Sequence, residues 1–419
     1  MKILWITNAL LPEANALLGV KTEVKGTGGW VYALATALKK KGDIKLNIAA
    51  ISDLVKTLTK VDGEYITYYA IPRGKGDVQY NRQYEDAYRE IFSEVHPDVV
   101  HIHGTEFPHS LAAINACGAE HTVVSLQGLV SIIARYNRGG ISKWGALKNV
   151  TFHDLVRGGI IRQQKNMFRA GEYEKEILRK AKNVIGRTSF DRQHAWALNP
   201  NARYFHCEEV LREEFYASRL WNYDECNPHT IFMSQAAFPI KGLHIVLKAL
   251  AIVTKHYPDV LLRVAGQDVT HKNEGFKGLL RLTGYGRIVK KLIKQYGLDD
   301  KISFMGRLNA KGMINEYLSA NLFLCPSSIE NSPNSLAEAQ LLGVPCIASY
   351  VGGIPDMMKG EEAHLYRYDD TEMLAYKICE TFTLVGDIDT EQSRDMALHR
   401  HDGSQNADEL IRIYLEVAK

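Results

Sequence analysis

The sequence predicts an α/β chain built from two doubly wound parallel-sheet domains. Three observations predict it. Short β-rich apolar runs alternate with longer segments of helical period over nearly all of the 419 residues, the pattern of a parallel sheet covered by helices. The two halves open alike, as strand, loop and amphipathic helix. At roughly 100–200 residues per domain, the length argues against a single core.

In the first half the strand runs are Ile3 to Ile6, Val99 to His103, Val123 to Leu126 and Val184-Ile185. In the second they are Ile231 to Met233, Val260 to Val264, Ile302 to Phe304, Leu322 to Leu324 and Cys346 to Ala348. Val31, Leu34, Ala35 and Leu38 follow a glycine-rich loop at i, i+3, i+4 and i+7, and Leu243, Val246, Leu247 and Leu250 repeat that spacing after Lys241-Gly242. Residues 217 to 229 carry Asn222, Asp224, Asn227 and Pro228 and no period, so the boundary is set there. This gives a Rossmann-like domain over 1–216, a second over 217–399, and a terminal helix near 400–419 with Leu410, Ile411, Ile413, Tyr414 and Val417 at helical spacing. Ligands of such units sit beyond the carboxyl ends of the strands, and two units facing each other would share one cleft.

Composition narrows the class. Apolar residues are 46% and charged residues 24%, which excludes disordered and collagen-like chains. A formal net charge of +3 excludes a nucleic-acid binder held by phosphate charge across the whole molecule. The six cysteines form no C-x-x-C pair, as expected of buried thiols in a reducing compartment. The apolar start stops at Thr7 and Asn8, too short for a signal peptide, and no run approaches the ~20 apolar residues of a spanning helix. The expected location is cytoplasmic, with the inner face of the cell membrane as one site of action.

The most informative stretch runs from Ser327 to Pro345, between a strand and a short helix marked by Pro333 at its start and Gly343 past its end. The backbone amides of Asn334, Ser335 and Leu336 are expected to be free to receive an anion such as a diphosphate. Glu330 before the turn and Glu338 within the helix are expected to face the same pocket and accept hydrogen bonds from vicinal hydroxyls of a ribose or sugar ring. Lys241, at the mouth of the second half's first helix, supplies a point cation for the same diphosphate, or is an ordinary surface lysine. Gly28 and Gly29, ahead of the first half's helix, allow close backbone approach to a ligand or serve only a tight turn.

The run from Glu330 to Asp356, with Gly352-Gly353-Ile354-Pro355, resembles the retaining glycosyltransferases of the GT-B fold, family 4. The glycine loop, Asp98 to Gly104, the Lys241-Gly242 pair and the Glu-x7-Glu block follow that family's order along nearly the entire chain. The resemblance implies a nucleotide-sugar donor, UDP- or GDP-linked, bound mostly by the C-terminal domain, and an acceptor bound mostly by the N-terminal one. It also implies ribose contacts by Glu338, donor-sugar contacts by Glu330, diphosphate contacts by Lys241, an approach to the donor by Gly28 or Gly29, and a C-terminal helix crossing back onto the first domain. Where family members commonly carry a histidine after a strand, this chain has Gln127-Gly128, and where many carry an arginine before the lysine it has Gln235 or Ala236. Gln127 is neutral, so its part is to position a hydroxyl rather than to move a proton.

Of His101 and His103, at most one is expected to face the ligand side; His103, nearer the carboxyl end of its strand, is that one or is a satisfied structural histidine. Arg187, at the end of another strand on that rim, is an acceptor contact or a simple ion pair. No metal site is expected: Asp387-Ile388-Asp389 has suitable spacing but reads as a solvated turn. Residues 135–169 hold eight Lys or Arg against the single acid Asp154, interleaved with large apolar residues, which suits contact with an anionic membrane, an anionic acceptor, or a solvated helical insertion.

The sequence is thus expected to encode a retaining, metal-independent hexosyltransferase of surface polysaccharide assembly without a cofactor. The rivals are a non-catalytic sugar-nucleotide or glycan-binding partner of another transferase and a sugar-nucleotide epimerase of similar build.

Overall fold

The computed structural model describes residues 1–20, 29–42, 44–74, 79–272 and 274–419. Contacts divide the chain into two compact units: 1–133 with 166–212 and 401–419, and 134–165 with 213–400. Residues 134–165 therefore pack with the second unit, where the sequence reading left them in the first. The reason is long-range polar pairing that no local pattern reveals: the buried Asp154 carboxylate accepts the Gly284 amide at 2.8 Å.

Among the described residues the first unit has a sheet of strands β1 (Lys2–Thr7), β2 (Lys45–Ser52), β3 (Thr59–Asp62), β4 (Ile66–Pro72), β5 (Val99–His103), β6 (Thr122–Ser125), β7 (Asn183–Gly186) and β8 (Arg203–His206), in the order β3-β4-β2-β1-β5-β6-β7-β8. All neighbours are parallel except the edge pair β3 and β4. Five consecutive residues of β1, Ile3 to Thr7, are buried, because helices cover both faces of the sheet. The order reverses between β1 and β5, a switch point where loops part and a ligand has room beyond the strand ends.

The terminal helix Gly403–Val417 belongs to this unit. Asp402 caps it through the Gln405 amide, and its apolar face, with Leu410, Ile413, Tyr414 and Val417, joins the core around Ile3 and Trp5. The Trp5 indole donates to the Tyr414 hydroxyl at 2.8 Å, and that hydroxyl lies 2.7 Å from His101 Nδ1. Indole can only donate, so the Tyr414 hydroxyl accepts from Trp5, and the other His101 nitrogen, Nε2, lies 2.6 Å from Ser125 Oγ. One buried chain of hydrogen bonds thus ties the helix to β1, β5 and β6.

The second unit's sheet comprises β9 (Thr230–Met233), β10 (Leu261–Val264), β11 (Ile302–Phe304), β12 (Leu322–Cys325), β13 (Cys346–Ser349) and β14 (Leu365–Tyr366), all parallel, in the order β11-β10-β9-β12-β13-β14. Its switch point lies between β9 and β12, whose following loops carry Lys241 and Glu330. On one face Phe232, Phe323 and Tyr317 pack edge to face, with Tyr317 centred 4.9 Å from Phe232 and 5.2 Å from Phe323. Aromatic packing thereby fixes the helix Ala310–Ser319 and aims the Tyr317 hydroxyl at the segment after β12.

Candidate functional site

In the second unit, backbone contacts bring the two sequence motifs together. After β9 the chain makes a single 3-10 turn, Pro239–Lys241, and leaves it through Gly242 at φ 77°, a conformation that favours glycine. A Cβ on Gly242 would lie 2.0 Å from the Pro326 carbonyl oxygen, so only glycine lets the turn approach the end of β12 this closely. The Ser328 amide donates to the Ile240 carbonyl at 2.8 Å and closes the contact.

Lys241 and Glu330 consequently form an ion pair, and the Ser327 hydroxyl donates to the same carboxylate oxygen at 2.7 Å. Burial disfavours the Lys241 charge, but the Glu330 carboxylate outweighs it as countercharge and acceptor, so the ammonium titrates above the ordinary lysine value. The pair remains partly open, with side-chain exposures of 27% for Lys241 and 16% for Glu330, which leaves the cation accessible to a ligand. Behind it, Gly352 at φ 55° lets the Gly-Gly-Ile-Pro run touch the backbone of Glu330. A Cβ there would lie 1.8 Å from the Glu330 carbonyl oxygen, which also accepts the Gly353 amide at 3.1 Å.

The short helix after this turn is Asn334–Leu341, with Pro333 just ahead of it and no side-chain cap. One expectation fails here: the Leu336 amide is not free, because it donates to the Pro333 carbonyl at 2.9 Å and the residue is fully buried. A tight first turn satisfies that donor internally, so any anion contact falls to Asn334 and Ser335. Glu338 is buried at 5% exposure and lies 3.4 Å from the Tyr317 hydroxyl, whose shorter bond, 2.8 Å, goes to the Ser335 carbonyl.

In the first unit a cavity opens beyond the ends of β5 to β8, lined among others by Trp30, His103, Gln127, Arg187, Cys207 and Glu208. His103 is buried, and neither ring nitrogen has a partner among the described residues. Burial lowers its pKa to about 3, so the ring is neutral and presents one donor and one acceptor. The expectation that only one of the two histidines faces this side is corrected: residues two apart on a strand share a face, and the rings of His101 and His103 stack at 3.7 Å. They differ in bonding instead, since His101 is held by Tyr414 and Ser125.

Arg187 is buried and engaged within the unit. Its Nη1 pairs with Glu209 at 2.6 Å and its Nη2 donates to the Gln127 carbonyl at 2.8 Å, so it braces the loop carrying Gln127 through the ion pair that the sequence offered as the alternative to an acceptor contact. Gly29 begins the helix Gly29–Lys39, and Gly28 lies outside the described residues. Asp389 accepts the Glu391 amide at 2.8 Å in an exposed turn before the helix Glu391–Arg400.

Sequence reasoning missed Glu106, three residues beyond β5. Its Oε2 is buried without a partner among the described residues, and a Cβ on Gly104, at φ 97°, would lie 2.2 Å from that oxygen. Burial raises the carboxyl to about pH 7, while the Gly128 amide and Arg187 pull it down and Glu174 pushes it up. The signal available in sequence was Gly104-Thr105-Glu106 directly after His103.

Residues 224–383 match the family model described as Glycosyl transferases group 1. Among curated proteins the chain is similar to a phosphatidyl-myo-inositol mannosyltransferase of Mycobacterium tuberculosis, 25% identical over 209 residues, covering 48% of this chain and 50% of that protein. It is also similar to the putative colanic acid biosynthesis glycosyltransferase WcaL of Salmonella typhimurium, 31% identical over 153 residues, 33% of this chain and 32% of that one. The chain thus spans about half the length, or less, of these relatives. Solved structures of like fold include sucrose-phosphate synthase from Thermosynechococcus elongatus, TM-score 0.66 at 15% identity over 99% of this chain and 98% of that one. Anabaena Alr3699/HepE in complex with UDP and glucose aligns with TM-score 0.61 at 14% identity over 99% of this chain and 100% of that one.

Proposed function

From the match of residues 224–383 to the glycosyltransferase group 1 model and the GT-B fold, we propose that the chain moves a hexose-type sugar from a UDP- or GDP-linked donor to a glycan or lipid-linked hydroxyl, with retention, in surface polysaccharide assembly. The observation that carries the reading is the Lys241–Glu330 pair, held by two glycines that no other residue could replace, four residues ahead of the helix bearing Glu338.

Lys241 exchanges Glu330 for the donor diphosphate, and the Ser335 end of the helix adds a second positive pole. Glu330, released, accepts from the donor sugar, and Glu338 accepts from the ribose. As the glycosidic bond breaks, negative charge grows on the diphosphate oxygen and the nearby ammonium stabilises it, so charge neutralisation needs no metal ion. The leaving oxygen takes the acceptor's proton while attack proceeds on the same face, which accounts for retention without a side-chain nucleophile. Gln127 and neutral His103 orient the acceptor hydroxyl by hydrogen bonds.

Glu338→Ala is expected to weaken donor binding, and Glu330→Ala to slow transfer with donor binding largely kept. Calorimetry and nucleotide release across a panel of sugar nucleotides measure both. Full activity in both variants would overturn the site. Binding without turnover would favour the non-catalytic partner, and conversion of the donor without acceptor would favour the epimerase.

A further inference from the structure

Three short helices of the second unit turn their apolar sides outward. On the helix Lys143–Lys148 these are Trp144 and Leu147, on Phe152–Arg157 they are Phe152, Leu155 and Val156, and on Gly275–Arg281 they are Phe276, Leu279 and Leu280. In each helix the spacing is i, i+3 or i, i+3, i+4, so each set forms one face. Trp144 is 73% exposed, Leu155 73% and Phe276 74%, values opposite to those of an amphipathic helix packed on a core.

Polar contacts on the inner side hold this inversion in place. Asp154, buried, accepts the Gly284 amide and closes a capping box with Thr151. Arg287 donates to the Val150 carbonyl at 3.0 Å, and Lys291 donates to Asn149 at 2.7 Å. The helix Gly275–Arg281, distant in sequence, packs beside Phe152–Arg157 and adds its own apolar face.

Positive charge predominates around these faces. Lys143, Lys148, Arg157, Lys272, Lys277 and Arg281 are exposed, while Asp154 is buried and Glu274 is paired with His271 and Arg281. Large apolar side chains ringed by cations match an anionic bilayer, whose acyl boundary takes the side chains and whose phosphates take the charges. We propose that these three helices form a docking face for an anionic phospholipid bilayer. The face lies outside the donor residues, and its test needs no substrate.

The full chain is floated with vesicles of phosphatidylglycerol mixed with phosphatidylcholine, and with phosphatidylcholine alone. Binding is expected to the anionic vesicles, about tenfold or more above the neutral ones, and to fall with added salt. Trp144→Ser combined with Leu155→Ser and Phe276→Ser should reduce vesicle binding at least about tenfold while the thermal midpoint and nucleoside diphosphate binding stay as in the parent. In the parent, brominated acyl chains should quench a fluorescence component that Trp144→Phe removes without loss of binding. Equal binding to both vesicle types, no loss in the triple variant, or a concentration-dependent dimer abolished by the same substitutions would each overturn the proposal, the last by assigning the face to a second copy of the chain.

Discussion

Replacing Lys241 with methionine separates the proposed diphosphate contact from general damage to the site. The stem still fills its space beside the Gly242 turn, but the ammonium that pairs with Glu330 is gone. A hydrogen bond to a charged group contributes about 1.5–3 kcal/mol, and each 1.4 kcal/mol is tenfold, so affinity for a nucleoside diphosphate should fall about 10- to 150-fold. The partly open position of the pair argues for the lower half of that range. A nucleoside monophosphate has no second phosphate for the cation to meet, and its affinity should fall less than about threefold. Isothermal calorimetry with both nucleotides on parent and variant reads the difference directly. Equal losses for the two, or an unchanged diphosphate affinity, would refute the assignment of Lys241 to the leaving group.

Tyr414→Phe removes the hydroxyl between Trp5 and His101 and leaves two buried nitrogens without partners. At about 1–3 kcal/mol each, the cost should be roughly 2–6 kcal/mol in urea unfolding, and a loss under about 1 kcal/mol would show that the buried chain does not hold the terminal helix. Gly352→Ala forces a side chain against the Glu330 carbonyl at positive φ and should destabilise by about 2 kcal/mol or more while weakening donor binding; parent-like values for both would dissociate this glycine from the site. Glu106 has a folded pKa of about 7 against an ordinary 4.5, so the protonated form favours the fold. Stability from this group is full below pH 4.5, declines as pH rises to about 7 and is level above, a span of roughly 3 kcal/mol that Glu106→Gln should remove from the pH dependence of urea unfolding.

Elements enclosed by helices were the most legible in sequence. β1 and β5 are buried throughout or nearly so, and a continuous apolar run states that directly. β3, with alternating partial exposure on an edge, and the two-residue β14 gave no comparable pattern. The segment around Glu330 was legible because its proline, glycines and acids are local in the chain, but the use of the Leu336 amide by Pro333 depends on how tightly one turn winds. Glu106 escaped because an acid becomes unusual only through what surrounds it, and residues 134–165 were misassigned because Asp154 meets a partner 130 positions away.

The tightness around Gly242 and Gly352 bears on how related chains are recognised. Neither position is required because a ligand touches it; each is required because a carbonyl oxygen occupies the space a methyl group would need. A descendant that had lost catalysis would still be obliged to keep both residues simply to stay folded. Retention of these signatures therefore reports an intact scaffold, whereas the proposed chemistry rests on Lys241, Glu330 and Glu338, which the backbone does not compel.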